Sequence, residues 1–342
     1  MSRAAVQPAR GLRAGTSRPR LGFLGVGWIG AHRMRALAEA GACEIAAIAD
    51  PDARALEGAR ASAPGAAAGA SLDDLLALDL DGVVIATPSA MHAEQAVAAL
   101  EHGCAVFCQK PLARTEAEAR RVIGAAREAD RLLGVDLSYR HTRAFRAVLD
   151  TIRSGDIGNV YSADLTFHNA YGPDKAWFRD VELAGGGCVI DLGVHLIDLA
   201  LLVLEWPEIA SVESHLYAGG KPLVGGAAVE DYAIATLSTG AGQSVRLACS
   251  WNLHAGQDAV IAATFHGTEG SVGFSNVAGS FYDFRATHDR GTRRRVLCEP
   301  PDDWGGRAAV AWAERLASSP RFDPQAELFA ASSAVIDRIY HR

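Results

Sequence analysis

Short, almost wholly apolar runs alternate along the first third of the chain with stretches whose apolar residues recur every three or four positions. The runs are RLGFLG (20–25), CEIAAIA (43–49), GVVIAT (82–87), CAVFC (104–108) and LLGVDL (132–137). Runs without polar alternation suit strands buried on both faces, and the periodic stretches between them suit crossover helices. Residues 20–138 are therefore expected to form a parallel sheet wrapped by helices, an α/β Rossmann arrangement. Several helix ends are legible. Residues 29–40 stop at Gly41, residues 89–102 stop at Gly103, and Thr115 with Glu118 has the spacing of a capping box.

The texture changes after residue 138. Residues 142–153 read as a linking helix, and from NVYSADLTFHN onward the runs EDYAIATLST, QSVRLACSWNLH, AVIAATFHGTEGSVGF and SFYDFRATH alternate apolar with polar residues between glycine-rich turns. That alternation predicts an α+β domain over 139–342 with a large, mainly antiparallel sheet, whose exposed face calls for self-association. One long helix, 187–204, interrupts it, and a last helix begins at Asp323-Pro324, with Asp as N-cap and Pro in the first turn. No internal repeat is found.

Composition narrows the function classes. A chain of 342 residues suits two domains, and 49% hydrophobic with 21% charged residues is the balance of an ordinary globular protein. A net charge of -7 argues against a nucleic-acid partner, which calls for a basic face. No apolar run is read as reaching the roughly 18 residues that span a bilayer, so no membrane segment is expected. The six cysteines form no CxxC pair and sit among apolar neighbours, which points to free thiols in a reducing, cytoplasmic setting and to no structural metal. The first 20 residues carry five arginines and no acid, superficially like a transit peptide. They lack an apolar face at helical spacing, and residues 1–19 are read as an unstructured tail.

Candidate chemistry begins at LGFLGVGWIGAHRM, where Gly25, Gly27 and Gly30 have GxGxxG spacing between a strand and a helix. Gly25 permits the tight turn, Gly27 lets backbone amides approach a pyrophosphate, and Gly30 lets helix and strand pack closely. Trp28 and Ile29 open the helix whose N-terminus favours the phosphate charge. Asp50 ends the second run, 20 residues after Gly30, where a carboxylate accepts from ribose hydroxyls. Asp52 follows with no arginine adjacent, so NAD is expected over NADP, with Arg54 as the main reservation. Thr87, Pro88 and His92 lie in the loop after GVVIAT, at the sheet edge where such ligands bind.

A second constellation is GGGCVIDLGVHLID, residues 185–198. Asp191 and His195 are four apart on a helix and share a face. The helix is otherwise apolar, so Asp191, His195 and Asp198 must face a cleft or satisfy one another. The three glycines allow another backbone or a ligand to come close.

The glycine fingerprint, the Lys110-Pro111 exit of the run CAVFC and the motif GGGCVIDLGVHLID together resemble the family named for glucose-fructose oxidoreductase, inositol dehydrogenase and the rhizopine catabolism protein, over residues 20–340. The resemblance implies a Rossmann domain followed by an open-sheet domain, nicotinamide-dependent oxidation or reduction of sugars and cyclitols, and a homodimer or homotetramer. It assigns the catalytic lysine of a Glu-Lys-Pro motif to Lys110 and the D-x-G-x-H pair to Asp191 and His195. One position departs: Gln109 stands where the family usually has Glu.

These residue types fit hydride transfer. His195 would take the hydroxyl proton, Lys110 would stabilise charge on the alcohol oxygen, and Asp191 would orient the hydroxyl and balance the imidazolium. Gln109 and Lys110 also stand where they could touch the cofactor. Tyr139, Arg140, His168, Asn169, Tyr171 and Trp177 are further candidates for the substrate side, since polar groups interleaved with aromatics suit a polyol. Two other functions are open: a glycoside hydrolase that uses bound NAD transiently, and a non-catalytic dinucleotide-binding sensor.

Overall fold

The computed structural model describes residues 18–223 and 228–342. Most of the expected tail, residues 1–17, lies outside the described residues. The chain divides into two compact units: residues up to Asp136 together with Gly305–Ala330, and Leu137–Trp304 together with Ala331–Arg342.

The first unit is built on six parallel strands, β1 (Arg20–Leu24), β2 (Glu44–Ala49), β3 (Ala67–Gly69), β4 (Gly82–Ile85), β5 (Ala105–Cys108) and β6 (Leu133–Val135). Their order is β3-β2-β1-β4-β5-β6, so the winding reverses between β1 and β4. β4 and β5 are buried at every position because helices cover both faces of the sheet. Helices Ser89–Glu101 and Glu116–Glu128 contribute buried alanines to one apolar layer, and Met34 and Leu37 of helix Trp28–Glu39 pack into the other. Gly41 and Gly103 follow their helices with positive φ, as the pattern predicts. Thr115 caps its helix by accepting from the Glu118 amide, but the Glu118 carboxylate takes the Arg114 amide and guanidinium instead of closing the box.

The pattern assigned everything after residue 138 to the second domain. The structure instead returns residues 305–330 to the first unit. Helix Arg307–Ser318 seats Trp312 against Phe107, with ring centroids 5.5 Å apart. The space it fills exists because β4 and β6 carry glycines. A Cβ at Gly82 or Gly134 would come within 2.9 or 2.6 Å of the Trp312 ring.

The second unit carries nine strands: β7 (Val160–Asn169), β8 (Ile209–Ala218), β9 (Lys221–Pro222), β10 (Tyr232–Thr239), β11 (Ser244–Ser250), β12 (Ala259–Gly267), β13 (Ser271–Asn276), β14 (Phe284–Arg290) and β15 (Arg293–Cys298). Their order is β15-β14-β13-β12-β7-β11-β10-β8-β9. Among the described residues only β7 with β11 is parallel, so the sheet is mainly antiparallel. Alternate residues such as Ala163, Leu165 and Phe167 of β7 face a buried core, and Asp164 and Thr166 face the other, more open side.

The core helix differs in detail from the expected 187–204 segment. A single π-helical stretch, Val189–Gly193, precedes the α-helix Val194–Val203. The stretch Val181–Val203 is 23 residues long and contains an 18-residue window of mean hydropathy 1.9, long and apolar enough to cross a membrane. This corrects the expectation that no run reaches that length. Because 89% of its apolar window is buried inside the protein, the helix is apolar for the reason any core helix is.

Candidate functional site

At the switch between β1 and β4, the glycine turn behaves as its spacing demands. Gly25 has φ +83°, and a Cβ there would lie 2.6 Å from the carbonyl oxygen of Ala86 in the loop after β4. A Cβ on Gly30 would lie 2.0 Å from the Gly25 carbonyl oxygen, so helix and turn touch only because it is absent. Gly27 is the N-cap of helix Trp28–Glu39 and no side chain caps that helix. Among the described residues no side chain is seen to accept from its first amides, as suits an anion-binding helix start. Trp28 beside them is 70% exposed. The arrangement fits a dinucleotide pyrophosphate.

Asp50 is tied to the same turn. Its carboxylate accepts from the amides of Val26 and Asp52, each at 2.9 Å. Asp52 caps the next helix through the Arg54 amide.

The loop after β4 is held from within. Thr87 Oγ1 donates to Gln95 Oε1 at 2.6 Å. His92 is 1% exposed, and its two ring nitrogens lie 2.6 Å from the Pro111 carbonyl oxygen and 2.8 Å from that of Thr87. A neutral imidazole has one N–H and can donate to only one of these at a time. Burial outweighs the pull of the two carbonyls and holds the His92 pKa below its ordinary value. Both nitrogens face backbone, so His92 clamps the loops after β4 and β5 together and has no nitrogen left for a cofactor.

Lys110 leaves the end of β5, half-buried, and the Lys110–Pro111 peptide is cis. Beside it, Gln109 is 6% exposed and donates through Nε2 to Asp136 Oδ2. The same oxygen accepts from Arg33 Nε at 2.6 Å. The amide at 109 thereby has a physical reason. A glutamate there would set two carboxylates within hydrogen-bonding reach in a buried place.

In the second unit the glycines make room for close neighbours: Gly186 for the Tyr340 ring, whose hydroxyl would lie 2.2 Å from a Cβ, and Gly187 for backbone. A Cβ at Gly187 would lie 1.9 Å from the Glu230 carbonyl oxygen. The Glu230 carboxylate accepts from the Gly187 and Val189 amides and from the Tyr340 hydroxyl, at 2.8–2.9 Å. Asp191 sits in the π-helical stretch, a kind of irregularity that often marks functional positions. Trp251 Nε1 donates to Asp191 Oδ2 at 3.1 Å. Phe178 meets Trp251 edge-on and Trp177 stacks on Phe178, so Trp177 joins Asp191 through an aromatic chain. His195, one helical turn on, packs against Tyr139 with centroids 4.8 Å apart, and Phe167 lies on the same side.

Other candidates are placed differently. Arg140 donates to both carboxylate oxygens of Asp198 through Nε and Nη2 and lies over the Trp206 ring, so Asp198 is satisfied by an arginine that is itself a substrate candidate. Tyr139 is 8% exposed within an aromatic cluster with Phe284 and Trp304. His168 follows Phe167 on β7 and points to the opposite face, where it bonds Ser250 Oγ at 2.7 Å and stacks on Tyr232. The structure thus parts His168 from the face that carries Asp191 and His195. Asn169 ends β7, and its backbone carbonyl accepts from Leu253. Tyr171 is 52% exposed beside Phe281. Sequence reasoning missed Trp251, Asp136 and Arg33. Among the described residues no cluster of histidine, cysteine and carboxylate suits a metal, and all six cysteines are free and buried.

A glycine turn at the switch point, an uncapped helix start and a tethered Asp50 define a dinucleotide-binding Rossmann unit. Comparison with known proteins places it more closely. Residues 20–137 match the oxidoreductase family with an NAD-binding Rossmann fold, and residues 145–273 match the GFO/IDH/MocA C-terminal domain. The chain belongs to this family. It is 32% identical over 309 residues to dTDP-3,4-didehydro-2,6-dideoxy-alpha-D-glucose 3-reductase of Streptomyces violaceoruber, covering 86% of this chain and 84% of that protein. It is 34% identical over 144 residues to D-glucoside 3-dehydrogenase of Escherichia coli (strain K12), covering 42% and 41%. The chain spans about half the length of several curated relatives it matches, between 41% and 56%. The crystal structure of GenD2 from gentamicin A biosynthesis, in complex with NAD, superposes with TM-score 0.79 at 23% identity, over 97% of this chain and 95% of that one.

Proposed function

We propose that this chain is an NAD(P)-dependent oxidoreductase that transfers a hydride between a nicotinamide and the CH–OH carbon of a sugar, cyclitol or derivative. The observation that carries the reading is the uncapped helix start at Gly27 with Asp50 tethered to the same turn. Family membership and the sugar-directed names of its relatives support the substrate class. A nicotinamide dinucleotide, when bound, supplies the hydride acceptor or donor. Gly25, Gly27, Trp28, Ile29 and Gly30 would hold its pyrophosphate end, Asp50 its ribose, and Thr87 and Pro88 the edge of the loop beyond. Asp50 with Asp52 favours NAD over NADP, although a solved structure of the same fold, at 22% identity and TM-score 0.80, holds NADP.

An imidazole nitrogen of His195 takes the hydroxyl proton as the alcohol is oxidised. The Lys110 ammonium donates to the alcohol oxygen and stabilises the charge that grows there. Asp191, held by Trp251, orients the hydroxyl and balances the imidazolium. Tyr139, Asn169, Tyr171 and Trp177 remain substrate-side residues in this reading, and the open face of the second sheet pairs with another copy of the chain. Free, buried cysteines fit a reducing cytoplasm.

The decisive experiment incubates the purified protein with NAD or NADP and a panel of cyclitols, aldoses and amino sugars, following nicotinamide reduction. Net reduction with one of them is the expected result. Glycoside cleavage without net reduction, or dinucleotide binding with no chemistry, would overturn the assignment.

A further inference from the structure

Asp136 is 1% exposed at the end of β6, and no motif in the sequence marks it. Its carboxylate is shared. Oδ2 accepts from Gln109 Nε2 at the end of β5 and from Arg33 Nε in helix Trp28–Glu39. The Arg33 side chain is 9% exposed and that of Asp136 is wholly buried, so each is the other's means of remaining charged inside the unit. Backbone bonds reinforce the junction: the Asp136 amide donates to the Cys108 carbonyl and the Gln109 amide to that of Ile85, both at 2.9 Å. Burial and then the Asp136 charge push the Cys108 thiol well above its ordinary pKa, so the field of this carboxylate reaches the strand end.

We propose that Asp136 is a positioning residue for Lys110: by holding Gln109, it sets the exit of β5 from which Lys110 leaves, and through Arg33 it ties that exit to the helix that begins at the glycine turn. The role of Lys110 itself rests on the function proposed above. Gln109 precedes Lys110 directly, so fixing its side chain restricts where the lysine begins. Arg33 lies little more than one turn beyond Trp28, so one carboxylate fixes the strand exit before Lys110 relative to the helix that begins at the glycine turn. The neutral amide at 109 is required by the charge at 136, and the two positions should be exchangeable only together.

The test uses the full chain and the variants Asp136→Asn, Gln109→Glu and their combination. The combination restores one carboxylate and one amide opposite Arg33. Two readouts are taken: kcat and KM with the polyol and dinucleotide that the unmodified chain uses, and the rate at which an N-hydroxysuccinimide ester acylates Lys110 in dinucleotide-free protein, read by peptide mass spectrometry. Each single variant should lower kcat about tenfold with a smaller change in polyol KM, and the combination should recover most of that loss. Lys110 acylation should change at least about threefold in the single variants and return in the combination. Single variants that match the unmodified chain in both readouts would overturn the proposal. So would a combination no better than the worse single variant. If Asp136→Asn does not accumulate as folded protein, Gln109→Glu and the combination carry the same comparison. Absence of turnover in the unmodified chain would overturn the proposed function, while acylation of Lys110 would still decide the role of Asp136.

Discussion

The indole of Trp251 donates to the carboxylate of Asp191 at 3.1 Å, across 60 residues of sequence. Trp251 is 3% exposed, so the bond is made where water competes little. It fixes a side chain on a π-helical stretch, where helical hydrogen bonding alone defines direction less well than in an α-helix.

Trp251→Phe keeps most of the ring and deletes the donor. The expected result is a fall in kcat/KM of about tenfold, with a stability loss of about 2 kcal/mol from lost packing and one lost hydrogen bond. Dinucleotide affinity should be unchanged, since Trp251 belongs to the other unit. Steady-state kinetics beside a fluorescence titration with dinucleotide checks this, and unaltered kcat/KM would remove Trp251 from the mechanism.

Asp50→Ala removes the acceptor of the Val26 and Asp52 amides as well as the ribose partner. NAD affinity should fall by about tenfold or more, roughly two hydrogen bonds to a charged group less the local relaxation. NADP affinity should fall less, because the repulsion of a 2'-phosphate disappears with the carboxylate. Calorimetric titration with both dinucleotides decides it, and equal losses would refute the assignment of Asp50 to the ribose.

His92 gives the first unit a dependence on pH. Burial lowers its pKa in the folded protein, so below the ordinary histidine value of about 6.5 the unfolded chain binds a proton that the folded one refuses. Its contribution is fully present above about pH 6.5 and is lost as pH falls toward the lowered folded value, by at most about 1.4 kcal/mol per pH unit. His92→Gln should be less stable than the unmodified chain at neutral pH and show a shallower loss between about pH 7 and 5. Urea unfolding across that range tests both, and parallel curves would mean that His92 does not titrate on unfolding.

Lys110→Ala and His195→Ala should each lower turnover by at least about 100-fold while dinucleotide affinity stays nearly intact. Retained turnover in either variant would take that residue out of the reaction.

Self-association through the open face of the second sheet should give a dimer or tetramer by light scattering at micromolar concentration. The half-buried Ile234, Ala248, Val260 and Ala262 lie on the side of the sheet opposite the core. A monomer mass would refute it.

What the sequence made legible was local. Gly25 and Gly30 are dictated by contacts within the turn and its nearest loop. Helix ends at Gly41 and Gly103 follow from single backbone conformations. Trp251 and Asp136 were not legible, because each owes its role to a partner on another strand or helix, and tryptophan or aspartate at a strand end is ordinary by itself. The Arg140 pair with Asp198 was hidden for the related reason that the two lie 58 residues apart. The placement of 305–330 was hidden as well: an amphipathic helix reports that it needs an apolar surface, not which one.

That placement has a consequence for how the protein is made. Trp312 is 5% exposed and belongs to the same buried cluster as Phe107, Leu21 and Phe23 of the first unit. A chain emerging N-terminus first can pair β1 to β6 early, but until residues 305–330 have left the ribosome the spaces above Gly82 and Gly134 have nothing to fill them. The nascent sheet must wait through the synthesis of residues 137–304 with one apolar face incompletely covered. During translation the unit that is begun first is therefore completed only when nearly the whole chain has been made.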